Sequence, residues 1–278
     1  MRGGLLALAF GFALSARADE AWTYRYASGD SATYAVKQTS NVEEVIIDET
    51  TKKPLSIITA STVTSRKQWT VKSVEKDGSA ALELTLLAIK QEIVQTVGSD
   101  KPNVRTVDSS VEADAKEMPF LGKPILTVVL SASGEFVSCE AKDKVATDRL
   151  KAELPFRATL PGKVPAAKET WERKLTLKSP PPFGTGERVP AVQTFTFRGL
   201  KDDFAVIGLT TKPSEKVDDA DLPGLVPLLW DGDVFYDTKA NRYHGSRLKS
   251  SREIASHKGE GTKYKYTSDY TEALEAKK

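Results

Sequence analysis

Residues 57–88, IITASTVTSRKQWTVKSVEKDGSAALELTLLA, decide the fold. The first half is rich in Thr, Ser, Val and Ile and sets Trp69 and Val71 on one face, the two-residue period of a half-buried strand. Asp77-Gly78 follows, a pair that accepts positive φ and closes tight hairpins. Ala80, Leu82, Leu84, Leu86 and Ala88 then return along one face. The stretch reads as two long antiparallel strands with one apolar side.

The same pattern extends outward. Trp22, Tyr24 and Tyr26 alternate with Thr23 and Arg25, and Ala32, Tyr34 and Val36 with Thr33 and Ala35, so both segments are predicted strands. Leu126, Val128 and Leu130 run into Ser133-Gly134 and out along Phe136 and Val137, a second hairpin. One helix is predicted from about Ala141 to Leu154, with Ala141, Val145, Leu150 and Leu154 near one face and Pro155 as its stop. Strands resume at Trp171, Leu175 and Leu177. The run Ser179-Pro180-Pro181-Pro182-Phe183-Gly184 is an extended break without ladder donors at its prolines.

The second half repeats the order of the first. Thr194 to Thr211 is again strand, turn at Lys201-Asp202-Asp203 and apolar strand, followed after an irregular stretch by a hairpin from Val234 to Ser246 turning near Asn241. This is the pattern of a duplication with halves 19–155 and 156–278. The expected fold is mainly β: a single domain over 19–278 built on long antiparallel strands. A closed barrel, a sandwich or one strongly curved sheet would each cover the aromatic faces. The single central helix favours an open, curved sheet wrapped over it, which leaves an apolar concavity.

The first eighteen residues stand apart. Arg2 precedes an apolar run from Leu5 to Leu14, and Ala16-Arg17-Ala18 is an A-x-A cleavage pattern with its small residues at Ala16 and Ala18. Residues 1–18 are therefore a predicted signal peptide. Cleavage removes Arg2 and Arg17 and leaves basic and acidic residues equal in number. The mature protein is expected outside the cytoplasm, periplasmic or extracellular and soluble, with no membrane span.

Composition excludes several classes. Hydrophobic residues make up 40% of the 278 and charged residues 28%, a globular balance. A formal charge of +2 argues against coating nucleic acid. One cysteine, Cys139, excludes a disulfide framework and any cysteine-cluster zinc site; it reads as a small residue at a strand end.

Together, the export signal, Trp22-Thr23-Tyr24-Arg25-Tyr26, Trp69 before Asp77-Gly78, Leu130-Ser131-Ala132-Ser133-Gly134-Glu135-Phe136, and Val234-Phe235-Tyr236-Asp237 leading into Arg242 resemble an uncharacterised family of exported bacterial β-rich proteins. In expected architecture and compartment alone, the chain is similar to the open half-barrel lipoprotein carriers of the bacterial envelope. The resemblance implies no catalytic residues.

No HExxH, Walker, GxSxG or EF-hand pattern is present. Gly184-Thr185-Gly186 follows prolines rather than a strand and reads as a turn. Ser73 to Lys76 and Ser246 to Lys249 have S-x-x-K spacing, but in strands positions i and i+3 point to opposite faces, which argues against catalysis. His244 and His257 read as surface histidines without a matching nucleophile. The acid-rich stretch from Lys201 to Asp233 matches no calcium-loop spacing, and the basic stretch from Lys239 to Lys265 is read as its neutralising neighbour. No catalytic residue, metal or cofactor is expected.

Leu222-Pro223-Gly224-Leu225-Val226-Pro227-Leu228-Leu229-Trp230 is the most apolar stretch after the signal, and its two prolines exclude a regular strand or a long helix. It is expected either to cover the core or to gate a cavity. The leading expectation is a non-enzymatic carrier of an apolar ligand, a lipid or lipidated peptide, touching Trp22, Tyr24, Trp69, Leu84, Phe195, Leu225, Leu229 and Trp230. The other is an envelope structural protein with a filled core and a protein partner.

Overall fold

The computed structural model describes residues 21–141, 157–178, 188–219 and 221–276. The predicted signal peptide, nearly all of the predicted helix from Ala141 to Leu154, and the Ser179 to Gly186 break lie outside them.

The described residues form one open antiparallel sheet of twelve strands. In chain order these are β1 (Ser31–Ile47), β2 (Pro54–Val74), β3 (Ala80–Val97), β4 (Asn103–Asp108), β5 (Pro124–Leu130), β6 (Phe136–Ala141), β7 (Thr170–Lys178), β8 (Arg188–Lys201), β9 (Phe204–Pro213), β10 (Asp231–Asp237), β11 (Arg242–Ala255) and β12 (Lys263–Leu274). Their spatial order is β6-β5-β3-β2-β1-β12-β11-β10-β9-β8-β7, with β4 paired to the far half of β3. Helix is confined, among the described residues, to α1 (Glu112–Lys116), α2 (Leu222–Leu225) and a 3-10 turn (Val226–Leu228).

Two meanders meet at the pairing of β1 with β12, the first strand with the last, in register from Tyr34 opposite Leu274 to Val45 opposite Lys263. The sheet then rolls so that one face turns inward on itself. Buried residues of β2 and β3 (Trp69, Val71, Leu82, Leu84) share one cluster with those of β8, β9 and β10 (Phe195, Phe197, Ile207, Tyr236), strands from opposite arms. Inward positions alternate with more exposed ones along the core strands such as β8 and β12, as a sheet with one solvated face requires.

The quoted hairpin forms as read, with Trp69 opposite Leu84 and Val71 opposite Leu82. Ala88 departs from it. Arg66 pairs with Ala88 but Lys67 pairs with Leu86, so Leu87 is an extra residue. This β-bulge reverses the alternation and puts Ala88 on the outer face.

The segment from Trp22 to Tyr26 is extended but joins no ladder, contrary to the strand expected there. It crosses the end of the roll and bonds to two different turns. Tyr24 N donates to Ala132 O at 2.7 Å in the β5–β6 turn, and Arg25 N donates to Asn241 O at 2.8 Å in the β10–β11 turn. Trp22 and Tyr24 drop into the roll and are 5% and 3% exposed. The alternation in the sequence was real, but its inward side faces the roll interior instead of a sheet neighbour.

Gly134 makes this crossing fit. Its φ is +87°, and a Cβ there would meet the Tyr24 ring at 2.5 Å. Gly134→Ala is expected to destabilise the fold by about 1–3 kcal/mol through positive φ and displacement of Tyr24. Urea denaturation followed by tryptophan fluorescence measures this.

Candidate functional site

The inner face divides into a filled end and an open end. At the filled end lie the N-terminal crossing segment, residues 157–160 and the short hairpin turns. Trp22 meets Phe197 edge-on at 5.2 Å and Tyr236 at 5.4 Å, and Tyr24 meets Tyr236 edge-on at 5.7 Å. Tyr24 Oη donates to Ala158 O at 2.8 Å, and Tyr236 Oη donates within a pair formed by Thr23 O at 2.8 Å and Asn241 Oδ1 at 2.6 Å. The Arg157 guanidinium lies 4.9 Å from the Tyr243 ring centre, 5.1 Å from Trp69 and 5.9 Å from Tyr34, a cation held among three aromatic faces. Beside it, Glu272 accepts from Tyr270 Oη at 2.8 Å and Tyr243 Oη at 3.1 Å. Burial pushes the Tyr34 phenol up to about 12, so it stays a neutral donor, here to Tyr243 O at 3.0 Å.

Of the residues nominated from sequence, Trp22, Tyr24, Trp69, Leu84, Phe195 and Trp230 all join this cluster, none more than 8% exposed. They are brought together, but as packed core. A ligand could reach them only by displacing their neighbours. Leu225 and Leu229 sit elsewhere, with Leu177, Ala191 and Leu228. The Leu222 to Trp230 stretch has folded onto the inner face, Leu222 to Leu228 as α2 and the 3-10 turn and Leu229 and Trp230 as the irregular lead into β10. Leu222 and Val226 pack on Ile254, Tyr264 and Tyr266 of β11 and β12, while Leu225 packs on Leu177 and Ala191 of β7 and β8, so the stretch plugs the inside of the second arm between its two ends. Ser250 Oγ fastens it by donating to Val226 O at 2.6 Å.

Beyond this plug the inner face continues along the distal halves of β1, β2 and β3, with β4 as its border. Here register sets Ile57 opposite Val97, Ile93 opposite Ser61, Ile89 opposite Ser65, and Val42 opposite Thr59. These side chains are only half-buried. From Leu55 to Ser65 the trough runs about 33 Å at strand rise. Ser40 opposite Ser61 crosses it, and the same row continues out of it as Ser268 and Ser250, which are buried beneath the plug. The trough is therefore amphipathic: Leu55, Ile57 and Val63 of β2 and Ile89, Ile93 and Val97 of β3 are interleaved along it with Thr59, Ser61, Ser65, Gln91 and Gln95. Sequence reading missed it, although the alternation of Leu55, Ile57 and Val63 and of Ile89, Ile93 and Val97 carried the signal.

At the distal corner His257 Nε2 lies 2.9 Å from Glu44 Oε1, and Lys258 Nζ donates to the same oxygen at 2.8 Å. His257, expected at the surface, is 5% exposed because Tyr264 and the β11–β12 loop enclose it. His244 is half-buried against Phe204, ring centres 4.1 Å apart. The basic stretch is neutralised only partly by the acidic one: Lys239 pairs with Asp203, but Lys258 and Lys265 pair with Glu44 and Glu43 of β1 and Lys263 with Glu253. Cys139 is half-buried at the core margin.

No family model matches this chain, and no curated protein matches it in sequence. Solved structures do match. One, titled "Lipid-protein interactions in lipovitellin", superposes with a TM-score of 0.53 at 11% identity over 91% of this chain and 26% of that one. The likeness is one of fold, and the present chain spans about a quarter of the neighbour's length.

Partial burial resists ionisation of Glu44, but the hydrogen bonds and charges of Lys258 and His257 outweigh it and hold the carboxyl below the ordinary 4.5. A depressed carboxylate stabilises the fold above its unfolded pKa and loses that contribution as pH falls through the folded value. Wild type is therefore expected to exceed Glu44→Gln in thermal midpoint at pH 6–7. The margin should shrink steadily below about pH 4.5, as measured by calorimetry across pH.

Proposed function

We propose that this protein carries an apolar or amphipathic molecule of the lipid class along the distal inner face, and that it does so as an exported protein without catalytic chemistry. One observation carries the reading: Ile57, Ile93, Val97 and their neighbours form a long amphipathic trough that the side chains of the described residues leave half-covered, next to a closed core. Apolar area left in water has an evident use when a ligand covers it. The solved neighbour of like fold is described by its title in terms of lipid–protein interactions, which supports the same class. Export follows the Ala16-Arg17-Ala18 pattern. In this reading the ligand contacts shift from the aromatic core residues to the aliphatic distal ones, and Leu222 and Val226 of the plug, in one cluster with Val42, bound the trough on one side, while Leu225 and Leu229 pack away from it on β7 and β8.

A second reading, an envelope interaction protein, is favoured by one feature. Among the described residues β6 is an edge strand with no partner on its outer side, and it carries Phe136 and Val137 at 40% and 59% exposure. An open, apolar edge invites a partner strand. Cross-linking in the native host that recovers only monomer counts against it.

The carrier reading is tested by titrating the mature protein with N-phenyl-1-naphthylamine, an uncharged apolar fluorophore. Saturable binding is expected. Ile57→Asp and Ile93→Asp should each weaken it at least tenfold, since the contact of one such side chain is worth about 1.5–3 kcal/mol, with circular dichroism unchanged. Absence of saturable binding, or equal affinity in both variants, contradicts the reading.

A further inference from the structure

The outer face of the sheet carries its own cavity, separate from the trough. It is a groove of about 540 Å³ over β12, β1, β2 and β3, walled on one side by the loop after β4. That size is within the range of small-molecule sites.

Register explains the depression. Ala273, Ala35, Arg66 and Ala88 stand side by side on four successive strands, so three methyl groups form a floor where neighbouring rows have long side chains. Ala88 is there only because the β3 bulge turned it outward. The adjacent row is Thr271, Lys37, Thr64, Lys90 and Asp108. Ser109 staples the wall to β3: its N donates to Ile89 O at 2.9 Å, and its Oγ accepts from Ile89 N at 3.0 Å.

The charges of the groove are unevenly satisfied. Arg66 is bound by Glu275 through two hydrogen bonds of 2.9 and 2.7 Å. Lys90 is bound by Asp108 at 3.1 Å. Hydrogen bonds from Ser110 and from Lys90 hold the Asp108 carboxyl down at about 2, so that pair persists at any physiological pH. Lys37 lies between Thr271 and Thr64 and forms no ion pair among the described residues. One uncompensated positive charge therefore stands over an apolar floor, with hydroxyl groups on both sides.

We propose that this groove is a second binding site, for a small organic anion: an apolar body resting on Ala35, Ala88 and Ala273, with one carboxylate, sulfonate or phosphate group meeting Lys37. Lys37, the groove's one cation without an ion pair among the described residues, matches a single negative charge, and the Thr64 hydroxyl beside it can donate to the same anion, whereas Thr271 Oγ1 donates to Lys37 O at 3.4 Å. An uncharged ligand gains nothing from Lys37, which separates this site chemically from the trough. The inference stands on the outer face alone and does not depend on the carrier reading.

The test uses two probes of nearly the same skeleton, the anion 1-anilinonaphthalene-8-sulfonate and the uncharged N-phenyl-1-naphthylamine, titrated into the mature protein. A saturable class of sulfonate sites is expected. Lys37→Glu should weaken that class at least tenfold, and filling the floor with Ala35→Phe, or independently Ala273→Phe, should do the same. Binding of the uncharged probe should be unchanged by Lys37→Glu. Ile57→Asp should leave the Lys37-dependent class intact, so failure of one site is distinguishable from failure of the other. Both floor positions are solvent-exposed, and circular dichroism checks that at least one variant folds. Sulfonate binding unchanged in all variants overturns the proposal. So does loss on charge reversal without loss on filling, since that is long-range attraction and not a site.

Discussion

The pairing of the first strand with the last holds the sheet together. Each arm is a meander whose strands pair with near neighbours in the chain, but nothing local brings β1 to β12, which are separated by most of the chain. Their ladder, reinforced by Ser268 Oγ donating to Thr39 O at 2.8 Å and by Tyr34 reaching Tyr243, turns two meanders into one sheet. Only then do the aromatic faces of both arms converge around Trp22 and Tyr24. Closing so large a loop costs conformational entropy before the contacts repay it, which points to a slow-folding, strongly non-local structure.

Where aromatic side chains are plentiful the rolled sheet fills itself, and where they are not it stays open. Trp22, Tyr24, Tyr34, Trp69, Phe195, Phe197, Tyr236 and Tyr243 all belong to the filled end. Each brings a large apolar area, and their hydroxyls reach backbone carbonyls or the Glu272 carboxylate, so the polar atoms are buried at little cost. The distal rows are built from Val, Ile, Ser, Thr and Gln, whose smaller volumes leave the inner face half-exposed. The plug of α2 and the 3-10 turn divides the two regimes. A filled core at one end gives the rigidity that an open trough at the other needs.

Much of the architecture was legible in the sequence. Alternation around Trp69 and the Asp77-Gly78 turn gave the central hairpin, and the turns at Ser133-Gly134 and near Asn241 gave two more. The chain's mainly β character followed from the same pattern, whereas the openness of the sheet was expected from a central helix nearly all of which lies outside the described residues. Trp22 to Tyr26 misled because period-two alternation records which side is buried, not whether backbone partners exist. Ala88 misled because one extra residue, Leu87, reverses every later position, and bulges leave no mark in composition. The partner of His257, Glu44, lies 213 residues away, which no local window can see. The aromatic residues were correctly grouped but misread in role: strong inward patterning marks the best-packed region, whereas a ligand surface is one the protein itself leaves underpacked. Both candidate surfaces, inner trough and outer groove, are cross-strand rows and exist only once register is known.

The central claim is that the distal inner face is completed by a molecule other than the protein. Native mass spectrometry of the mature protein, exported by its host and purified without detergent, tests it most directly when followed by denaturation in the same instrument. The account predicts a reproducible excess mass on the folded protein that disappears on denaturation and whose value identifies a lipid-class compound. A clean mass equal to that of the bare polypeptide, or of a whole-number multiple of it, would contradict the claim.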